Sequence, residues 1–445
     1  MTSISVPFPR TKTQSLARYE RVAVVAIILV MSFLPNLAKF GAPAADDSGS
    51  IVGQLVYGTF YIFSAIRLVA LRARTRYILL RSIPMTIFIG ILLASTFWST
   101  NPATTLRNAI EMVGTMTIAY YIVSRFRLSD FLFLLCTSFA IIAAVSSYLI
   151  VFVPVLGRSD YGASGWCGFY GEKNHFGTVM GFAVVTALIT AIQSKGRKRF
   201  ALGCLSLYCT LLIIGSQSAT ALLVTGVTSI LVVSIRLCRS KRFGTFVGVG
   251  LGIAGFAVLT FIAATGLTAD SFFALVGRDS TLTGRTDFWP GLVRAIGDQP
   301  LFGYGYSAFF LPNGPSDQYI GNATGWWHPS HAHNSYYQIA LDVGFVGGAA
   351  FGATLLLGFF RAAVSAFREV SASEAWPLAI ITFLTLGSFT ETYFAQRNTT
   401  ESILFALAIL YPGRSAFEDF SKITGKVLLA AHRSKSEPIE KLTVA

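Results

Sequence analysis

FLFLLCTSFAIIAAVSSYLIVFVPV, residues 131–155, carries no charged side chain, and reading it decides the fold. An apolar run of roughly 20 residues, coiled as a helix, matches the hydrocarbon core of a bilayer. Barrel strands would instead alternate over about 10 residues. Similar runs recur along the chain, which is 53% hydrophobic and only 13% charged. Soluble domains carry about 25% charged residues. The sequence therefore predicts an all-α polytopic membrane protein.

Working outward from that stretch, twelve spans are expected: 22–38, 51–71, 83–98, 107–124, 131–155, 177–194, 200–215, 219–235, 243–266, 336–360, 376–392 and 400–413. They divide the chain into a basic tail (1–21), nine spans (22–266), a long polar interval (267–335), three spans (336–413) and a second tail (414–445). Ala42-Pro43-Ala44 after the first run imitates a signal-peptide cleavage site. The further spans favour an uncleaved first helix.

Net charge is +14, and where the charges fall explains it. With the N-terminus cytoplasmic, the inner face collects Arg72, Arg74, Arg76, Arg81, Lys195, Arg197, Lys198, Arg199, Arg236, Arg239, Lys241 and Arg242. The outer face holds only eight of the 35 Lys and Arg: Lys39, Arg107, Arg158, Lys173, Arg278, Arg285, Arg294 and Arg397. This positive-inside asymmetry predicts both termini in the cytoplasm. It makes membrane lipids, anionic ones above all, the partner of the basic surface and excludes nucleic acid. The five cysteines show no CxxC spacing, and four lie in or beside apolar runs, which excludes a disulfide framework.

The interval 267–335 then faces outward, as does 156–176, and together they hold four of the five histidines. The larger interval is rich in aromatics and Gly turns rather than in Ser, Glu and Lys, which argues against disorder and for an active or binding region. His331 and His333 stand just before a predicted span. From spacing alone they read either as solvated interfacial histidines with Asn334 as a cap or as a general base. Metal is disfavoured because the nearest acids in sequence, Asp317 and Asp342, do not complete a ligand set.

Arg285 has the planar fork suited to phosphate. On so cation-poor a face, anion binding is favoured over snorkelling or pairing with Asp287. A helix through this stretch would group Arg278, Arg285 and Arg294 on one basic face. Lys173, with Asn174 beside it, opens a span and offers a second phosphate contact, or is neutralised by Glu172. Arg107 and Glu111 are four apart on one predicted helix and read first as an ion pair. Glu391 is expected near Arg397. No nucleotide loop or cofactor motif is present, so no cofactor is expected.

Six stretches, taken in order, resemble the O-antigen ligase/polymerase superfamily, particularly its exopolysaccharide-polymerisation, ExoQ-like branch. They are Trp98-Ser99-Thr100-Asn101-Pro102 with Arg107 downstream; Gly168-Phe169-Tyr170-Gly171-Glu172-Lys173-Asn174-His175-Phe176-Gly177; Gly284-Arg285-Thr286-Asp287-Phe288-Trp289; Pro300-Leu301-Phe302-Gly303-Tyr304-Gly305; His333-Asn334-Ser335-Tyr336-Tyr337-Gln338; and Ser388-Phe389-Thr390-Glu391.

The resemblance implies a metal-independent, inverting glycosyltransferase of the GT-C type in a bacterial inner membrane. It would act at the periplasmic face on glycans carried by undecaprenyl diphosphate, with a chain-length-regulating co-polymerase as a partner. Carried over by residue, Arg285 would hold the donor diphosphate, His333 would act on the acceptor hydroxyl, and Lys173 would be a second basic contact. Where ligases of the family show a basic residue after an S-x-S stretch, Ser216-Gln217-Ser218 is followed by Ala219. That departure favours polymerase over ligase. A transporter or flippase is the alternative of another class, but no internal repeat supports it.

Overall fold

A computed structural model of the protein describes residues 10–40, 51–159, 165–238, 285–321, 329–369 and 371–412. The expected span 243–266, residues 1–9 of the first tail, all of the second tail and Arg278 lie outside the described residues. Their regular structure is helical, joined by irregular segments, with one isolated bridge between Arg158 and Trp166 and no strand among them. The helices are α1 (Arg10–Phe33), α2 (Ile51–Ala70), α3 (Arg72–Arg81), α4 (Ile83–Ala94), α5 (Pro102–Arg125), α6 (Leu128–Phe152) and a single turn, α7 (Pro154–Gly157). They continue with α8 (Lys173–Gln193), α9 (Gly196–Ser216), α10 (Ala219–Cys238), α11 (Arg285–Asp298), α12 (Pro315–Ile320), α13 (Ser335–Arg368), α14 (Trp376–Gly387) and α15 (Thr400–Leu410).

Among the described residues, seven helices are long and apolar enough to cross a membrane, within or along α1, α2, α6, α8, α9, α10 and α13. An eighth path joins the end of α3 to α4 through an 85° bend at Ser82. The protein is thus a polytopic all-α membrane protein. Leu128–Phe152 nearly coincides with the run that predicted it; its one charged residue, Asp130, lies in the first turn, and the uncharged remainder can bury its surface only in lipid or protein.

Several expected spans differ from expectation, among them 107–124, which is the helix α5 but not one of these seven. The spans 376–392 and 400–413 are α14, of 12 residues, and α15, of 11. At 1.5 Å per residue each is under about 20 Å long, too short for a bilayer core of about 30 Å. Their apolar side chains face protein rather than lipid: Ala379, Ile380, Ile381, Leu407 and Ala408 are fully buried. The irregular segment 388–399 between them lies within the bundle, where non-helical backbone is tolerated because neighbours satisfy its polar groups. The span expected at 336–360 belongs to α13, which breaks at Gly344 (φ +58°, ψ −157°). A β-carbon there would lie 2.4 Å from the backbone carbon of Leu301. Gly344 therefore lets Phe345 N–H reach the Pro300 carbonyl at 2.8 Å and Val346 N–H reach that of Leu301 at 3.1 Å.

The described parts of the long polar interval, 285–321 and 329–335, form a small folded layer with the start of α13. Phe288, Leu292, Ala295, Tyr304, Phe309, Ile320, Ala332 and Leu341 form its apolar core. Burial raises the pKa of the Tyr304 phenol, which donates to the Ala295 carbonyl at 2.9 Å. Two of the recurrent motifs clasp one another and fix this layer to the bundle. Trp98 Nε1 donates to the Phe302 carbonyl (2.8 Å), Thr100 N to that of Tyr304 (3.0 Å) and Thr105 Oγ1 to that of Tyr306 (2.9 Å). At the opposite end, Glu20 is 3% exposed and bridges Arg67 at 2.5 Å and Arg125 at 2.7 Å, joining α1, α2 and α5.

Candidate active site at one end of the bundle

The site grows from a tight turn before α13. Asn334 caps the helix, accepting from Tyr336 N at 2.9 Å and Tyr337 N at 3.1 Å, so the free N–H groups of the first turn are satisfied. Its own amide donates to the Phe389 carbonyl at 3.1 Å. Ser335 N–H donates to the Ser388 carbonyl at 3.0 Å, and Ser335 Oγ accepts from Tyr393 N–H at 2.8 Å. These bonds lock residues 333–335 against the buried segment 388–399.

That docking brings together groups 58 positions apart in the chain. His333 Nδ1 faces Glu391 Oε2 at 3.5 Å, and both residues are buried, 6% and 8% exposed. The other carboxylate oxygen accepts from Asn174 Nδ2 at 3.2 Å, on the first turn of α8. One carboxylate therefore links the histidine turn to the helix end that begins at Lys173. A carboxylate facing Nδ1 favours the tautomer with the proton there, with the lone pair on Nε2. Beside it, His331 packs ring to ring with His333, centroids 4.0 Å apart, while its Nδ1 meets Ser330 Oγ at 3.0 Å.

The acid that sequence neighbours failed to provide is Glu391. One ligating atom each from His331, His333 and Glu391 lies within 4.8 Å of the others, so the set could hold a cation. Asp342, considered for that role, is committed elsewhere, accepting from Gln338 Nε2 and Ser307 N, each at 3.1 Å.

Other candidates are placed differently from expectation. Arg397 pairs with Glu111 at 2.8 Å, and Asn398 Nδ2 donates to the same oxygen at 3.1 Å. The carboxylate expected to pair with Arg107 thus meets Arg397, and the one expected near Arg397 meets His333. Arg107 is half-buried one turn before Glu111 on α5. Arg285 opens α11, and its position does not share a helix face with that of Arg294. Nine residues at about 100° each place the two positions on opposite sides of the helix. Arg294 is exposed and donates to the Tyr319 carbonyl at 3.4 Å.

Lys173 bears on the departure at Ala219. A β-carbon on Gly165 would lie 2.5 Å from the Ser216 carbonyl oxygen and 2.9 Å from Lys173 Cδ. The lysine stem therefore runs beside the Ser216-Gln217-Ser218 turn, where Gln217 is left-handed at φ +56°. A second pair, half-buried His175 Nε2 with buried Glu401 Oε1 at 3.1 Å, ties the start of α8 to the start of α15. Neither this pair nor the contacts of Ser335 and Ser388 were foreseen, since small polar residues inside apolar runs give no distinguishing pattern.

The fold and site define a class: a multi-pass helical membrane protein with a buried histidine–glutamate pair and adjoining basic residues at one end of its bundle. Residues 204–352 match the family described as O-antigen ligase. The chain is also 28% identical over 276 residues to the exopolysaccharide production protein ExoQ of Rhizobium meliloti (strain 1021). That similarity covers 59% of this chain and 61% of the relative, so the chain spans less than two thirds of that protein's length. The two findings together support the O-antigen ligase/polymerase superfamily, on its ExoQ-like side.

Proposed function

We propose that this protein is a polysaccharide polymerase. It transfers a growing glycan from undecaprenyl diphosphate to the next lipid-linked repeat unit at the periplasmic face of the inner membrane. The observation that carries this reading is the His333–Glu391 pair, joined through Asn174 to the helix end bearing Lys173.

The acceptor hydroxyl attacks the anomeric carbon of the donor. A new glycosidic C–O bond forms as the C–O bond to the diphosphate breaks, inverting the configuration. The hydroxyl proton passes to His333 Nε2, and Glu391 stabilises the resulting imidazolium. Arg285 and Lys173 take up the negative charge that develops on the leaving diphosphate. Because the diphosphate is already a good leaving group, positioning and charge stabilisation are sufficient, and neither nucleotide nor covalent nucleophile is needed.

The match to an O-antigen ligase family keeps one second reading in view, transfer of the glycan onto lipid A core. Position of the polar groups at the end of the bundle, not at mid-depth, weighs against a flippase. Complementation of cells lacking the protein separates the three. Wild type should restore long surface or secreted chains, while Arg285→Ala and His333→Ala at normal membrane abundance should leave single repeats. Long chains already present in the null strain but unattached to lipid A core would indicate a ligase. Lipid-linked repeats trapped at the cytoplasmic face would indicate a transporter.

A further inference from the structure

His333 sits at φ +48°, a left-handed conformation that a residue with a β-carbon seldom adopts. Such a conformation persists only where its surroundings over-determine it. Here both backbone groups of the preceding residue are held, one in each of the two peptides that flank its Cα. The Ala332 N–H donates to Gln338 Oε1 at 3.0 Å, and the Ala332 carbonyl accepts from Trp289 Nε1 at 3.0 Å. Ala332 itself is fully buried. Gln338 is oriented in turn by its Nε2, which donates to Asp342 Oδ1 at 3.1 Å, and that oxygen also accepts from Ser307 N–H.

Trp289 reaches the Ala332 carbonyl from α11. Its position follows Arg285 by four residues, so the two positions share one face of the helix. Its ring meets Tyr337 edge-on, centroids 5.6 Å apart and planes at 85°. Thus the one indole N–H spans from the helix that begins at Arg285 to the turn that carries the histidine.

We infer that Trp289 and Gln338 are positioning residues. Acting through the backbone N–H and carbonyl of Ala332, they hold His333 in its left-handed turn, and Trp289 sets the spacing between that base and the start of α11. Neither needs to touch the reacting atoms. This rests on the proposed role of His333 as the proton acceptor.

The test uses full-length protein in lipid nanodiscs, with lipid-linked glycan extracted from cells lacking this protein as substrate. Trp289→Phe removes the indole N–H, and Gln338→Leu removes the acceptor of the Ala332 N–H. Trp98→Phe is the control, because it deletes the same kind of indole-to-carbonyl bond in the clasp, at 2.8 Å from Phe302 O. Misplacing a catalytic group by a fraction of an ångström should lower kcat about tenfold or more, with KM within about twofold, in both site variants. Trp98→Phe should keep both parameters per folded molecule.

Wild-type kcat in both site variants overturns the inference. So does a raised KM with kcat kept, which would make Trp289 a substrate contact, or an equal fall in Trp98→Phe, which would make the effect general. If one site variant does not fold, the other decides. His333→Ala is run alongside. Full turnover in that variant sinks the functional reading itself, whereas a dead His333→Ala beside normal Trp289→Phe and Gln338→Leu sinks only the positioning role.

Discussion

Replacing Glu391 with Gln probes the pair at the centre of the site. The carboxylate is 8% exposed, with Oε2 3.5 Å from His333 Nδ1 and Oε1 3.2 Å from Asn174 Nδ2. Two opposite unit charges at that separation interact by about 4–5 kcal/mol at an effective dielectric near 20. The attraction acts in full only after His333 has accepted the proton, so it lowers the barrier more than it tightens binding. In Glu391→Gln the amide oxygen can keep the Asn174 bond. Its NH2 then turns to Nδ1, which drives the imidazole proton onto Nε2, the atom required as base. Each 1.4 kcal/mol is about tenfold, and an amide dipole retains part of the interaction, so turnover should fall about 10²–10³-fold.

The assay is the initial rate of lipid diphosphate release by purified protein in nanodiscs, at saturating lipid-linked glycan, with folded protein quantified. A rate within about threefold of wild type would refute the coupling of Glu391 to proton transfer. Rescue of Glu391→Gln by added divalent metal would instead make the three side chains a metal site.

Exhaustive chelation of the wild-type protein should leave its rate unchanged. His331→Ala should stay active too, because the base reading needs only His333 and Glu391; metal analysis of the purified protein checks the same point. Gly344→Ala should destabilise the fold by about 3 kcal/mol or more, read as a lower Tm in micelles. It forces a side chain into a glycine-only region and onto Leu301 backbone 2.4 Å away. Glu111→Leu should cost about 2–4 kcal/mol, since it leaves the Arg397 guanidinium half-buried without its carboxylate. A proteolysis-resistance or thermal-melt series would show whether that loss is present.

How far the sequence could be read depended on which environment each run of residues answers to. Residues 131–155 and 177–194 announced α6 and α8 because lipid and protein alike demand an apolar helix there. The same hydropathy at 376–392 and 400–413 misled, since it reflects burial inside the bundle rather than contact with lipid. Gly344 looked like one more glycine in an apolar run, and its role depends on a neighbour 43 positions away, Leu301.

The histidine turn was legible as a candidate, yet its partner was not. Asp317 and Asp342 were judged by distance along the chain, while Glu391 arrives through the docking of Ser335 on Ser388. Arg285 and Arg294 were grouped by proximity in sequence, and helical geometry separates them. Asn174, Lys173 and Glu391 were each weak signals alone; the hydrogen bond from Asn174 to Glu391 makes them parts of one site.

The most direct measurement of the central claim is reconstitution. Purified protein in nanodiscs, without nucleotide, receives lipid-linked repeat units extracted from cells that lack it. Wild type should produce a ladder of lengthening glycans, with one equivalent of undecaprenyl diphosphate released per linkage formed, and His333→Ala should produce neither. A wild-type preparation that binds the repeats yet releases no diphosphate and forms no longer glycan would contradict the assignment of glycosyl transfer to this site.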